Sequence, residues 1–261
     1  MAYDSRMKIN TLCLLLTSFL LGYSTGARSQ DKQVTHQQLA WFSYANTIRF
    51  SPKWALTSEV HERRFMNPSR RHQFLLRSQA RYTLGENWEA VAGFTYFRQS
   101  PNDPKAVQGL VVPELRPHVQ FNYSQPLGRF AITHRYRAEK RFFRKTDNGE
   151  LVAGYNSNYR FRYRLGIEYR LADIKEQPVK LKAYDELHIN AGKSIVYNRF
   201  DQNRIYAGLS YAVSKSLEME AGYLNWYQQR PVGNLFYNRH IMSFAINHKI
   251  DLTNKRKESE D

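Results

Sequence analysis

Read in steps of two, Tyr155, Ser157, Tyr159, Phe161, Tyr163, Leu165, Ile167, Tyr169 and Leu171 share one side of the chain. Asn156, Asn158, Arg160, Arg162, Arg164, Gly166, Glu168 and Arg170 share the other. Successive side chains of a strand point to opposite faces, so the stretch predicts a ribbon with an aromatic wall and an arginine-rich wall. At about 17 residues it is far longer than the ~5–6 residues of an ordinary soluble strand. A membrane-spanning barrel strand needs about 9–11 residues within the hydrocarbon and can project beyond it, which suits this length.

The same alternation recurs along the chain and predicts eleven long strands, at 39–50, 54–65, 72–84, 88–99, 115–124, 130–144, 155–171, 179–190, 203–213, 217–229 and 237–252. Tight turns at Ser51-Pro52-Lys53, Gly85-Glu86-Asn87, Pro126-Leu127-Gly128 and Ser214-Lys215-Ser216 alternate with longer loops. This pattern predicts an all-β fold, a transmembrane antiparallel up-and-down β-barrel with short periplasmic turns and longer external loops. Such a barrel with both ends in the periplasm has an even strand number, so about twelve strands are expected, with ten as the alternative. Asp31 to Ala40 is the candidate for the additional short strand. No Pro- or Ser-rich linker divides residues 30–252, which are expected to form one domain, followed by a charged tail over 253–261.

The amino terminus places the chain outside the cytoplasm. Arg6 and Lys8 precede a short apolar core from Ile9 to Leu21, and small residues including Ala27 and Ser29 follow, so residues 1–29 read as a cleaved signal peptide. The single cysteine, Cys13, lies in that apolar core, leaving a mature chain without cysteine and without disulfides. The formal net charge of +16 is spread along alternating strand positions, unlike a basic arm or helix stripe that would bind nucleic acid. The expected location is the outer membrane of a Gram-negative cell. The expected partners are outer-membrane lipid and lipopolysaccharide, the barrel-assembly machinery and small anionic solutes, with no nucleic acid.

Charge facing lipid costs about 2–4 kcal/mol for an Arg or Lys at the bilayer midplane, so the polar face of each strand is expected to turn inward. The resulting lumen network comprises Arg135, Arg137, Glu139, Arg141, Arg160, Arg162, Arg164, Glu168, Arg170, Glu186, His188 and Arg204. Glu59, His61, Arg63, Arg77, Arg81, Glu89 and Arg116 join it from the earlier strands. Two uses of such a lumen stay open: an Arg/Glu network that fills and stiffens the barrel, or a narrow pore for small anions, whose carboxylates or phosphates suit the planar guanidinium fork. Trp54, Trp88, Tyr155, Tyr169, Trp226 and Tyr237 near strand ends are expected to form interfacial girdles. A secreted soluble barrel that binds a ligand is the structural rival, and it would turn the aromatic face inward.

Catalytic chemistry has little support. Asp185, Glu186 and His188 cluster near a strand end, but only Glu186 and His188 share a face, so a lumen ion pair is favoured over a lipid hydrolase. The chain shows no metal-ligand spacing and no phosphate loop, and no catalytic, metal or cofactor site is expected.

Several ordered motifs resemble one bacterial family. They are Arg135-Tyr136-Arg137-Ala138-Glu139-Lys140-Arg141-Phe142, Arg162-Tyr163-Arg164, Asp185-Glu186-Leu187-His188-Ile189-Asn190, Asn203-Arg204-Ile205-Tyr206-Ala207-Gly208-Leu209-Ser210-Tyr211 and Gly222-Tyr223-Leu224-Asn225. In that order they resemble the family catalogued as domain of unknown function 2490, over roughly the whole mature chain. The resemblance implies a membrane β-barrel of a Gram-negative secreted protein and carries no activity with it.

Overall fold

A computed structural model describes residues 32–107, 109–193 and 195–253. The expected signal peptide, residues 1–29, and nearly all of the expected charged tail lie outside the described residues. Eleven strands follow one another: β1 (Gln33–Arg49), β2 (Trp54–Phe65), β3 (Arg70–Thr83), β4 (Trp88–Gln99), β5 (Val112–Leu127), β6 (Phe130–Asp147), β7 (Glu150–Ile174), β8 (Gln177–Ala191), β9 (Phe200–Ala212), β10 (Leu217–Gln229) and β11 (Leu235–Asp251). Each pairs with its neighbours in sequence, and β1 pairs with β11 to close the barrel.

The strand number corrects the expectation of twelve, or ten. Among the described residues there are eleven, and Asp31 to Ala40 supplies no separate strand: its residues from Gln33 onward extend β1. Every connection reverses the chain, so an odd number leaves the first and last strands running the same way. The seam is accordingly parallel, in register from Gln33 opposite Leu235 to Arg49 opposite Asp251. All other ladders are antiparallel.

Five connections crowd one end of the barrel: 50–53, 84–87, 128–129, 175–176 and 213–216. Lys175 and Glu176 both adopt positive φ, 50° and 62°, the hand of turn whose twist matches the flanking strands. The opposite end carries 66–69, 100–111, 148–149, 192–199 and 230–234. One expected loop there, 145–154, is instead a two-residue turn. Asn148 (φ 47°) and Gly149 (φ 81°) have the left-handed conformations of an Asn-Gly hairpin, and β6 and β7 run on beyond their predicted ends to meet it. A register shift between Arg144 and Thr146 interrupts that ladder.

The aromatic and aliphatic face of the strands points out. Phe42 is 47% exposed, Phe121 48% and Phe161 51%, whereas the charged face turns in and leaves Arg137, Glu139, Arg160 and Glu186 buried. Cross-strand ring pairs Trp54–Tyr82 and Trp88–Tyr123, each 4.7 Å between centroids, and Phe130–Tyr169 at 4.5 Å form a band just inside the tight turns. Tyr155 is exposed as expected, but Trp226 and Tyr237 are buried and belong to no girdle. In β10, Trp226 follows Leu224 on the inward face. Near the start of β11, Phe236 and Tyr237 are both buried, so strict alternation does not hold there. On the outer face, Asp185 accepts a hydrogen bond from Asn203 Nδ2.

Candidate functional site: the lumen

Inward residues of neighbouring strands meet as the ladders dictate. Arg135 stands opposite Arg164, Arg137 opposite Arg162 and Glu139 opposite Arg160 on β6 and β7, while Arg164 faces Glu186 and Arg162 faces His188 on β8. Like charges directly opposite one another repel, so the arrangement holds only because carboxylates bridge them. Glu186 accepts from Arg135 Nη2 at 2.5 Å and from Arg162 Nε and Nη2 at 3.0 Å each. Glu139 accepts from Arg160 Nε at 2.9 Å and Nη2 at 2.5 Å, and from Arg162 Nη1 at 2.8 Å. Arg162 thereby joins the two carboxylates into one network.

Further clusters extend it around the wall. Glu114 holds Arg116 through Nε at 2.5 Å and Arg141 through Nε at 2.6 Å. Glu59 holds Arg77 at 2.9 Å, His61 at 2.8 Å and Gln79 at 2.6 Å. Arg81 makes a two-pronged pair with Glu89, both bonds 2.9 Å. Asp201 takes the third nitrogen of Arg160, Nη1, at 3.2 Å.

The expected network is thus largely gathered. Arg135, Arg137, Glu139, Arg141, Arg160, Arg162, Arg164, Glu186, His188 and Arg204 all face the interior; Glu168 lies toward the turn end, paired with Lys180 at 3.3 Å. Arg170 departs from expectation. It stands opposite Lys180 in the ladder, the last pair before a register shift, and at the half-exposed rim it pairs with Asp173 at 2.7 Å. Glu114, Asp201 and Arg239 are not among the expected residues, because they lie at strand ends beside Pro113, the register shift at His188 and the irregular start of β11. For Glu114 a signal existed, since it continues the alternation of Arg116, His118 and Gln120.

Across the loop-side half the lumen is filled. Leu39, His72, His188, Arg239 and Ile241 are completely buried, and Leu39, Trp41, Phe65, Tyr206, Leu224, Trp226 and Ile241 pack as one apolar cluster. Arg239 lies 4.2 Å from the ring centres of both Trp226 and Tyr237, and donates to Gln37 at 2.7 Å, Gln228 at 2.5 Å and Asn102 Oδ1 at 3.0 Å. Asn102 belongs to the long connection between β4 and β5; its carbonyl also accepts from Gln37 at 2.7 Å, and its Oδ1 lies 3.2 Å from His72 Nε2. That loop is therefore pinned across the mouth.

The turn-side half is open. A cavity of about 730 Å³ begins at Gly85, Glu86 and Asn87 and reaches down to Trp41, Arg63, Leu75 and Arg204. Its walls differ. Arg77, Arg135, Arg137, Arg162 and Arg164 line one side, and Ser43, Ser243 and Ala245 face them from the closing strands. Tyr206 Oη lies across Gly208 and Gly222, where any Cβ would collide with it, and donates to Glu220 at 2.7 Å.

The Glu186 and His188 side chains approach to 3.2 Å deep in the wall, with Gln202 Nε2 2.9 Å from His188 Nδ1, while Asp185 points away from both. Among the described residues, no three His, Cys, Asp or Glu side chains are placed to hold a metal ion.

The profile of the family described as Protein of unknown function (DUF2490) matches residues 38–237, from within β1 to within β11. The chain belongs to this family. The matched span of this DUF2490 member contains every inward arginine and carboxylate described above except Arg239, two residues beyond it. Comparison with curated proteins yields no match. Among solved structures the chain is similar to one described as NanC porin structure in rhombohedral crystal form, at 11% identity and a TM-score of 0.45, over 76% of this chain and 89% of that one. The likeness is too distant to transfer any property.

Proposed function

We propose that the protein is an outer-membrane β-barrel whose lumen is closed on the loop side, so that small anionic solutes enter from the turn side and do not pass through. The observation that carries the membrane reading is the outward apolar face with its aromatic band inside the tight turns. Soluble proteins rarely expose contiguous apolar patches beyond a few hundred Å². A soluble ligand-binding barrel would bury these rings, and here they point outward. Lipid and lipopolysaccharide would surround that belt, the barrel-assembly machinery would insert the chain, and the tight turns would face the periplasm. Nucleic acid has no place in this reading.

The closed-lumen reading rests on the fully buried layer at Leu39, His72, His188, Arg239 and Ile241. Fractionation and planar-bilayer recording test both parts. The protein is expected in outer membranes, to migrate differently with and without heating, and to give no steady current at any salt concentration. Recovery in the soluble periplasmic fraction would remove the barrel reading, and a stable anion-selective current would restore the pore. The proposed role is not enzymatic, with Glu186 and His188 as a structural pair. Lipid hydrolysis by the purified barrel that vanishes in His188→Ala would overturn that.

A further inference from the structure

The carboxylates of the lumen are already shared among several arginines, and, besides Arg49 at the exposed rim, three guanidinium groups deeper in the chamber are left over. Arg63, Arg164 and Arg204 line the cavity from β2, β7 and β9, and none has a carboxylate oxygen within 4.0 Å among the described residues. Each is held by an aromatic face instead. Arg63 lies 3.9 Å over the Trp41 ring, Arg204 sits 5.3 Å from Trp41 and 4.9 Å from Trp226, and Arg164 lies 4.9 Å from the Tyr184 ring.

Their hydrogen-bonding capacity is largely unspent. Arg63 donates Nη1 to Gln73 at 2.7 Å, and its Nε is buried without a partner. Arg204 Nε is likewise buried and unpartnered, as is the Nε of the neighbouring Arg135. In the ladder, Arg164 and Arg204 flank Glu186 from either side, yet that carboxylate is occupied by Arg135 and Arg162. A buried charged donor without an acceptor is costly, and costs of this kind persist where a ligand completes the set. Stacking on a ring fixes the plane of each fork and leaves its edge free for an incoming oxyanion.

We propose that the chamber is a binding site for a small phosphate-bearing anion, held jointly by Arg63, Arg164 and Arg204. Three surplus positive charges call for an anion of at least two charges, and a phosphate ester or diphosphate concentrates them on oxygens that accept from several forks. The cavity falls within the ~300–1,000 Å³ range of small-molecule sites and so has room for an organic portion. The inference rests on the proposed access from the turn side and adds ligand class and residues to it.

Calorimetric titration of the full-length barrel in detergent micelles with inorganic pyrophosphate tests the site. Saturable binding is expected, and Arg164→Gln or Arg204→Gln should each weaken it by about 10-fold or more. Arg170→Gln, at the rim, should leave it unchanged. If the Gln variants fail to fold, Arg204→Lys keeps the charge and loses the fork: weaker binding supports the site and unaltered affinity overturns it. Tighter binding of citrate than of pyrophosphate overturns the phosphate assignment. A heat-modifiable, membrane-inserted protein that binds neither anion sinks the site alone, whereas a soluble protein that still binds pyrophosphate sinks the membrane reading and leaves the site standing.

Discussion

The two halves of the lumen are built from the same strands and differ in what fills them. Toward the loops, long and aromatic side chains such as Leu39, Phe65, Trp226 and Arg239 meet at one level and exclude solvent. Toward the turns, β1 and β11 contribute Ser43, Ser243 and Ala245, which cannot reach across, so the arginines opposite border a cavity. In the sealed half Arg239 has its donors satisfied by three neutral side chains, Gln37, Gln228 and Asn102. The open half keeps Arg164 and Arg204 without acceptors. Side-chain volume at a few inward positions therefore divides one barrel into a plug and a chamber.

Removing a carboxylate from the shared wall should hit this division hardest. Glu186→Gln leaves Arg135 without its counter-charge and Arg162 with Glu139 alone, and a loss of about 3–5 kcal/mol is expected in urea unfolding of the micelle-bound barrel. A change below 1 kcal/mol would mean the network is solvated and the two halves are not electrostatically distinct. Leu39→Ala hollows the plug itself, for a cost of about 2–5 kcal/mol set by how far the surrounding rings collapse. Thermal unfolding followed by loss of the compact gel form measures it.

The pinned loop sharpens the comparison further. Asn102→Ala removes the side-chain oxygen that serves Arg239 and lies beside His72, for an expected cost of about 1–3 kcal/mol. With that anchor gone, current flickers in planar bilayers are expected where the unaltered protein gives none; persistent silence would show that the apolar cluster seals the mouth without the loop. Arg170→Gln should do least. Its pair with Asp173 is half exposed, and such pairs contribute about 0–1 kcal/mol, so stability by urea titration should hardly move.

Much of this fold is legible before any tertiary contact. β2, β4 and β10 have the bounds that alternation and flanking turn residues predict, 54–65, 88–99 and 217–229. Asn148-Gly149 is a strong local hairpin signal, and a loop expected over 145–154 leaves both β6 and β7 too short. The strand number failed for another reason. An even number follows from both chain ends lying on one side, whereas the closure is decided by the parallel pairing of β1 with β11, which no local pattern encodes.

The same limit applies to the site. That Arg162 and Glu186 face inward follows from alternation; that Arg162 joins Glu186 to Glu139, that Arg204 rests between two tryptophans and that Arg170 stands at the rim depend on register and on where each strand meets its turn. By itself the sequence determined a strand-built chain with an apolar face and an arginine-rich face, because side-chain direction in a strand is set by the backbone's own two-residue period. The tertiary structure decided which charges are matched, which end is closed and where three guanidinium groups remain for a ligand. Those are relations between residues far apart in the chain, brought to one level by the stagger of strands around a closed barrel.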